Sequence, residues 1–316
     1  MKVKWNKSLI IMEIFCLALV LLRPGIAFTG AKNGLVLWAD IVLPGIFPAS
    51  FLSCILLNRL NISDKYLKIY IIVCGILSGF PVAAILYSQY CNEKNDNNLD
   101  GILAYCNISS PSFICNYIYN FDLMKRIPLS RLLSIIYISS LAGITLCLFT
   151  VRFKKPSRSG KDYKPIFIIK NGKKAVYRLK PDKEKKKQEI NVGIIMEQTC
   201  INMIKAGGFI VFFSCLSQYL ILILPDKFIL KGIITGLFEI TTGINQICAD
   251  LVDINKVYGI DSVLFVILIN NFGGLSTLLQ TISVTGSILD IKKYIYHKII
   301  YCCITVLVYT FMIYVL

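Results

Sequence analysis

The chain has 316 residues, of which 56% are hydrophobic and only 16% are charged, and its mean hydropathy is +0.67. Soluble domains average about 45–50% apolar and about 25% charged residues, so this composition excludes an ordinary soluble protein and predicts an integral membrane protein. The net charge of +16 would suit a nucleic-acid-binding protein. Most of that charge lies between residues 152 and 187, as is typical of a cytoplasmic loop beside membrane spans, so nucleic acid is not a predicted partner.

Nine apolar runs follow one another along the chain, at 8–28, 33–58, 69–91, 99–119, 129–151, 194–224, 228–248, 262–288 and 291–316. Most of them have about the 20 residues that are needed to cross a bilayer core. The first run resembles a signal peptide, but it lacks a clear small-x-small cleavage site, so we predict a helix there. The resulting domain prediction has four parts: an N-terminal transmembrane helix (1–30), a first repeat (31–151), a basic cytoplasmic linker (152–191) and a second repeat (192–316).

The two repeats correspond segment by segment. The matched pairs are LPGIFPASFLSCIL (43–56) with KAGGFIVFFSCLSQYL (205–220), GILSGFPVAAILY (75–87) with GLFEITTGINQI (236–247), and YCNISSPSFI (105–114) with NNFGGLSTLL (270–279). Because order and spacing agree in all pairs, the pattern indicates an internal duplication. In the linker, Asn171-Gly172 between apolar-rich runs is typical of a type I′ hairpin, with a disordered charged linker as the alternative. We also expect the linker to contact anionic lipid.

Charge then predicts the orientation of the repeats. Lysines at the N-terminus place it in the cytoplasm, and four full crossings in the first repeat would leave the basic linker outside, against the positive-inside tendency. One segment must therefore be re-entrant: it enters the membrane and returns to the same side. The best candidate is 33–58, which is broken by Pro44, Gly45 and Pro48, with 194–224 broken at Gly207-Gly208 as its counterpart.

The predicted fold is an all-α polytopic membrane protein with two inverted repeats. Each repeat is a re-entrant helical hairpin plus three membrane-spanning helices, and one extra helix lies at the N-terminus. Transporters commonly have this architecture, with the substrate site at the middle of the membrane where discontinuous helices meet.

Glu239 is the strongest single candidate for a functional residue. It lies in the middle of an apolar segment, and an intramembrane carboxylate is costly. Thr242 and Gln246 follow it at helical spacing and form one polar stripe that must face protein or water. The alternative is a structural hydrogen-bond network between helices.

Two polar patches repeat at corresponding positions and are expected to face each other across a central site. They contain Asn107, Ser109 and Ser110 in the first repeat, and Asn271, Gly273, Gly274, Ser276 and Gln280 in the second. Close packing of small residues between membrane helices is the alternative.

Four further residues are weaker candidates. Ser78 and Gly79 mark a break in the segment that matches Glu239. Asp40 and Lys205 carry opposite charges at paired positions, and each could instead extend to a membrane interface.

The remaining chemistry gives no sign of an enzyme. The apolar runs hold neither paired carboxylates nor a nucleophile with a base, so no catalytic activity is predicted. The twelve cysteines include no CxxC pair and are interpreted as small buried hydrophobes. No metal or cofactor is predicted; coupling to a proton or a sodium ion and homo-oligomerisation stay open.

An ordered set of motifs resembles those of the sporulation integral membrane proteins of the YlbJ type, which carry paired nucleoside-recognition, or gate, domains. The motifs are LPGIFP (43–48), GILSGFPVAA (75–84), CNISSPSFI (106–114), GLFEITTG (236–243) and NFGGLS (271–276) with Gln280. A more distant likeness is to concentrative nucleoside transporters, at FEIT around Glu239 and at NFGG (271–274). That likeness implies that Glu239 and Asn271 contact the substrate.

The closer resemblance implies a transporter of dipicolinate, acting at the outer forespore membrane of a bacterium that forms endospores. Helix N-termini and Lys205 could bind this planar dianion, whereas Glu239 would repel it unless protonated, so coupling is its expected role. Two alternatives stay open: a transporter of nucleosides or other small metabolites, and a sporulation scaffold that recruits partners through the basic linker without transporting anything.

Overall fold

A computed structural model describes residues 7–59, 64–94, 99–152, 168–170, 173–175, 192–225, 228–249 and 262–315 of the chain. These residues are helical almost throughout. Five helical segments are long and apolar enough to cross a membrane: Pro24–Arg59, Leu129–Thr150, Val192–Ile223, Ser262–Thr285 and Ile291–Tyr314. The prediction of a multi-pass helical membrane protein is therefore confirmed.

The first half contains eight helices, some of them short. They are α1 (Lys7–Leu22), α2 (Pro24–Leu37), α3 (Leu43–Arg59), α4 (Asp64–Ser78), α5 (Val82–Lys94), α6 (Asp100–Cys106), α7 (Pro111–Asn116) and α8 (Leu129–Arg152). A π-helical turn (Trp38–Val42) joins α2 to α3 without interruption, and two 3₁₀ turns (Ile118–Asn120 and Met124–Arg126) follow α7.

The second half has the same order of elements. It contains α9 (Val192–Ile223), α10 (Phe228–Phe238), α11 (Ile240–Ala249), α12 (Ser262–Phe272), α13 (Gly274–Thr285) and α14 (Ile291–Tyr314). Each half thus has a long helix, a pair of short helices, a helix with an internal break, and a second long helix. Between the halves, β1 (Ile168–Lys170) and β2 (Lys173–Ala175) pair antiparallel, with Ile168 opposite Ala175.

The hairpins predicted at 33–58 and 194–224 are wrong, because both segments continue as helices. Pro44 and Pro48 remove two backbone donors, but the helix passes through both positions after the π-helical turn. Likewise α9 is uninterrupted at Gly207-Gly208. A Cβ on Gly207 would lie 2.6 Å from the Trp38 ring, so this glycine permits close helix packing and does not break the helix.

Contact between α2–α3 and α9 explains why these helices stay intact. Trp38 donates its indole N–H to the carbonyl of Met203 at 3.2 Å. A Cβ on Gly34 would lie 2.9 Å from the Ser214 side chain, so the two helices approach each other closely there. The two helices run antiparallel, and their packing offsets the local cost of proline and glycine.

Helical hairpins do occur, one in each half, but in the next segment along the chain. In α4–α5 the Lys68 ammonium lies 5.8 Å from the centre of the Tyr90 ring, whereas a straight helix would separate these residues by about 33 Å. In α10–α11, Gly236 packs directly against Gly243. The chain therefore reverses at 79–81 and again at Glu239, and we call these two turns the first and second hairpin tips.

Candidate functional site

Two helix breaks meet in the centre of the protein. The first break (107–110) separates α6 from α7, and the second break (Gly273) separates α12 from α13. Ser109 donates from Oγ to Oδ1 of Asn270 at 2.6 Å, and Asn270 in turn donates from Nδ2 to Oδ1 of Asn271 at 3.1 Å. All three side chains are buried. The two polar patches found in the sequence are therefore joined by hydrogen bonds through Asn270.

Local sequence explains the first break. Pro111 cannot donate a backbone hydrogen bond, and it occupies the first position of α7, where none is needed. Ser110 caps this helix, because its Oγ accepts a hydrogen bond from the backbone N–H of Phe113 at 3.2 Å. Asn107 is buried one turn earlier, and its Nδ2 donates to Oγ1 of Thr281 at 2.9 Å and to the Tyr294 hydroxyl at 3.1 Å.

Each hairpin tip lies against the break in its own half, and glycine makes both contacts possible. Gly79 has a φ of +76°, and a Cβ there would lie 2.6 Å from the backbone nitrogen of Ser110. Gly274 has a φ of +62°, and a Cβ there would lie 2.8 Å from the carbonyl oxygen of Gly236. Other residues rarely adopt this backbone conformation, so both positions favour glycine for two independent reasons.

Glu239 is buried at the second hairpin tip, with only 3% of its surface exposed. Its Oε2 accepts hydrogen bonds from the backbone N–H of Thr242 at 2.8 Å, from the Thr242 hydroxyl at 3.0 Å, and from the Thr241 hydroxyl. The carboxylate therefore caps α11, where the helix dipole favours negative charge. These three hydrogen bonds all go to the same carboxylate oxygen, Oε2.

A small cavity, which we call the central cavity, lies between the breaks and the second hairpin tip. Its volume is about 20 Å³, enough for one water molecule. Both halves of the chain contribute its polar lining, which consists of Ser109, Ser110, Glu239, Thr241, Ser276, Thr277 and Gln280. Gln280 also donates to Oγ of Ser276 at 3.1 Å, so the second half holds its polar groups in place.

A larger opening of about 620 Å³ lies next to the central cavity, and we call it the polar groove. Its polar lining includes Thr242 and Gln246, the stripe that follows Glu239 in the sequence. Leu37 and Thr241 line both the polar groove and the central cavity. These two residues therefore form the partition between the two spaces.

Not every candidate residue reaches the central cavity. Asp40 and Lys205 are exposed on the first long segment and on α9, and neither lines the central cavity. Three further candidates are buried but do not line the central cavity: Asn107, Asn271 and Ser78.

Sequence reasoning missed four residues of this region, of which Thr241 and Thr277 line the central cavity. Asn270 stands beside Asn271 and makes one of the hydrogen bonds that join the halves. Lys298 is 3% exposed and donates from Nζ to the backbone carbonyls of Asn107 and Asn271, at 3.0 Å each. The available signal was its spacing from Tyr294 and Tyr301, which places all three on one face of a helix.

The described residues contain no group of three His, Cys, Asp or Glu side chains that could hold a metal ion. Comparison of the chain with protein-family models, with curated proteins and with solved structures gave no match. The fold and the site therefore define a class only: a multi-pass helical membrane protein whose two halves meet at a buried polar centre.

Proposed function

We propose that this protein is a membrane transporter whose substrate binds at the central cavity. One observation carries the proposal: the two helix breaks and the second hairpin tip, drawn from both halves, converge on one polar cavity that contains a single buried carboxylate. Broken helices in the membrane interior are tolerated where they line such a cavity, and polar groups there commonly mark a solute or ion pathway.

The proposed topology consists of two inverted repeats. With the N-terminus in the cytoplasm, α1 crosses outward and Pro24–Arg59 returns. The first hairpin then enters and leaves on the cytoplasmic side, α6–α7 crosses outward, and α8 returns the chain to the basic linker. The second half follows the same order from the opposite side, so its hairpin opens outward. Lys292 and Lys293, at the start of α14, then lie in the cytoplasm, as the positive-inside tendency requires.

Transport would require the second hairpin tip to move. The central cavity holds about one water molecule, so an organic substrate enters only if the partition at Leu37 and Thr241 opens toward the polar groove. Closing of such an element after binding is a common gating motion in proteins. We propose that Thr241 is the gate residue that the hairpin carries with it.

Dipicolinate is our first candidate substrate, from the resemblance to sporulation membrane proteins, and the outer forespore membrane is the corresponding location. The lining supports a dianion only if Glu239 carries a proton, because the cavity contains no lysine or arginine among the described residues. We therefore propose that each dipicolinate moves together with a proton on Glu239.

A neutral nucleoside-like solute is the second candidate. The cavity lining favours it, since five hydroxyl-bearing side chains and one amide beside a carboxylate would suit a solute rich in hydroxyl groups. A non-transporting scaffold is the outcome to consider if neither solute moves.

The test is uptake of labelled dipicolinate and of labelled uridine into proteoliposomes, with and without an inward proton gradient. Glu239→Gln keeps the shape of the side chain and removes its titration. We expect this variant to exchange dipicolinate across the membrane but to lose gradient-driven accumulation. Glu197→Gln is the matched control, because Glu197 is exposed on α9 and should behave like the unmodified protein.

Three results distinguish the candidates. Dipicolinate accumulation that is unaffected in Glu239→Gln would remove Glu239 from the coupling mechanism. Uridine uptake alone would establish the nucleoside-like substrate. If neither solute moves in vesicles that hold folded protein, both substrate proposals are wrong, and deletion of residues 156–187 then tests the scaffold.

A further inference from the structure

Lys298 joins the two helix breaks from behind the central cavity. It lies on α14, one turn after Tyr294 and just before Tyr301, whose ring centres are 5.9 Å and 5.6 Å from its ammonium nitrogen. Its two hydrogen bonds go to main-chain carbonyls, one in each half of the protein. The ammonium group is therefore surrounded by oxygen atoms and aromatic faces.

The two carbonyls are free to accept because of the breaks. In a continuous helix the carbonyl of Asn107 would accept from the N–H of residue 111, but residue 111 is proline and has none. The carbonyl of Asn271 lies two residues before Gly273, where the left-handed backbone ends α12. Unpaired backbone carbonyls are costly inside a membrane, so each break creates a requirement for a donor or a cation.

The charge of Lys298 is balanced by no carboxylate in the described part of the chain. Among the residues that the structure describes, no carboxylate forms an ion pair with it, although a buried charge usually requires one. A third oxygen belongs to the side chain of Asn107 itself. This Oδ1 is buried, and no described group donates a hydrogen bond to it. The arrangement therefore resembles a cation site made of amide oxygens, with the ammonium of a lysine as the cation.

We propose that the carbonyls of Asn107 and Asn271 form a monovalent-cation site that Lys298 occupies permanently. Discontinuous membrane helices often coordinate sodium through unwound carbonyls, and an ammonium group donates to the same oxygens. The tethered cation holds the two breaks in register at the back of the central cavity. Removal of the side chain should leave a site that free potassium, sodium or methylammonium can fill.

The test measures the thermal unfolding midpoint of the purified full-length protein in detergent at constant ionic strength. Choline chloride is replaced stepwise by potassium, sodium or methylammonium chloride. We expect Lys298→Ala to have a low midpoint in choline, and each smaller cation to raise it by at least about 3 °C along a saturating curve. The unmodified protein and Lys292→Ala, whose lysine is exposed on the same helix, should show no such rise.

Two further variants separate the effect of the charge of Lys298 from the effect of its side-chain volume. Lys298→Met fills the same space without charge, so it should be destabilised and should not respond to cations. Lys298→Arg keeps the charge and should fold. The proposal is overturned if Lys298→Ala matches the unmodified protein in choline, or if no cation raises its midpoint. It is also overturned if Lys298→Ala yields no folded protein in any salt while Lys298→Arg does, since potassium would then have failed to fill the site.

These measurements depend on stability alone, so they are independent of the proposed transport activity. A protein that transports neither dipicolinate nor uridine can still show the cation response. Conversely, transport can be intact in the unmodified protein while Lys298→Ala ignores every cation. Failure of one proposal is therefore distinguishable from failure of the other.

Discussion

Two Gly-Gly pairs in this chain have opposite structural roles, and alanine substitution should separate them. Gly207-Gly208 lies inside the continuous helix α9, whereas Gly273-Gly274 forms the break between α12 and α13. The informative changes are Gly208→Ala and Gly274→Ala. A Cβ at Gly208 would meet nothing within 4 Å, whereas at Gly274 it would lie 2.8 Å from a backbone oxygen.

The expected magnitudes follow from this geometry. Alanine in the left-handed conformation of Gly274 costs about 1–2 kcal/mol, and the contact with backbone adds about 1–3 kcal/mol, because the main chain cannot move aside easily. The total destabilisation is therefore about 2–5 kcal/mol. Alanine at Gly208 should instead stabilise the protein by about 0.5–1 kcal/mol, since glycine is unfavourable in the interior of a helix.

The assay is thermal unfolding of the purified protein in detergent, followed by cysteine-reactive fluorescence or by circular dichroism. At about 2 °C per kcal/mol, the midpoints of the two variants should differ by at least about 5 °C. Equal loss of stability in both variants would refute the reasoning, because it would mean that the chain also breaks at Gly207-Gly208. The re-entrant hairpin first expected at 194–224 would then be correct.

Two remaining predictions test the hairpin and the junction of the halves. Cysteines replacing Lys68 and Tyr90, in a protein without its native cysteines, should be cross-linked by a short bifunctional reagent; an absence of cross-linking would favour a straight segment over the hairpin. Ser109→Ala should lower stability by about 1 kcal/mol, because the buried Oδ1 of Asn270 loses its donor, and a double-mutant cycle with Asn270→Ala should recover a coupling of that size. A coupling energy of zero would show that this bond does not join the halves.

The sequence by itself determined the features that depend on local composition. Hydropathy established a helical membrane protein, and the basic segment between residues 152 and 187 divided it into two halves. It also indicated the polar patch at 107–110, where Pro111 with a capping serine favours the start of a new helix. Glu239 was evident for the same reason, since a carboxylate in an apolar run is conspicuous without knowledge of its neighbours.

Only the tertiary structure decided which breaks are real and which residues meet. Glycine serves both a left-handed turn and close helix contact, so Gly207-Gly208 and Gly273-Gly274 look alike in sequence. They differ through distant partners, namely Trp38 in one case and the Gly236 carbonyl in the other. The sequence did not indicate the role of Lys298 for a similar reason. That role depends on two backbone carbonyls that are separated from it by 191 and 27 residues. Such long-range contacts are a property of the packed chain: the helical spacing of Lys298 from Tyr294 and Tyr301 indicates a shared face but not the groups that this face contacts.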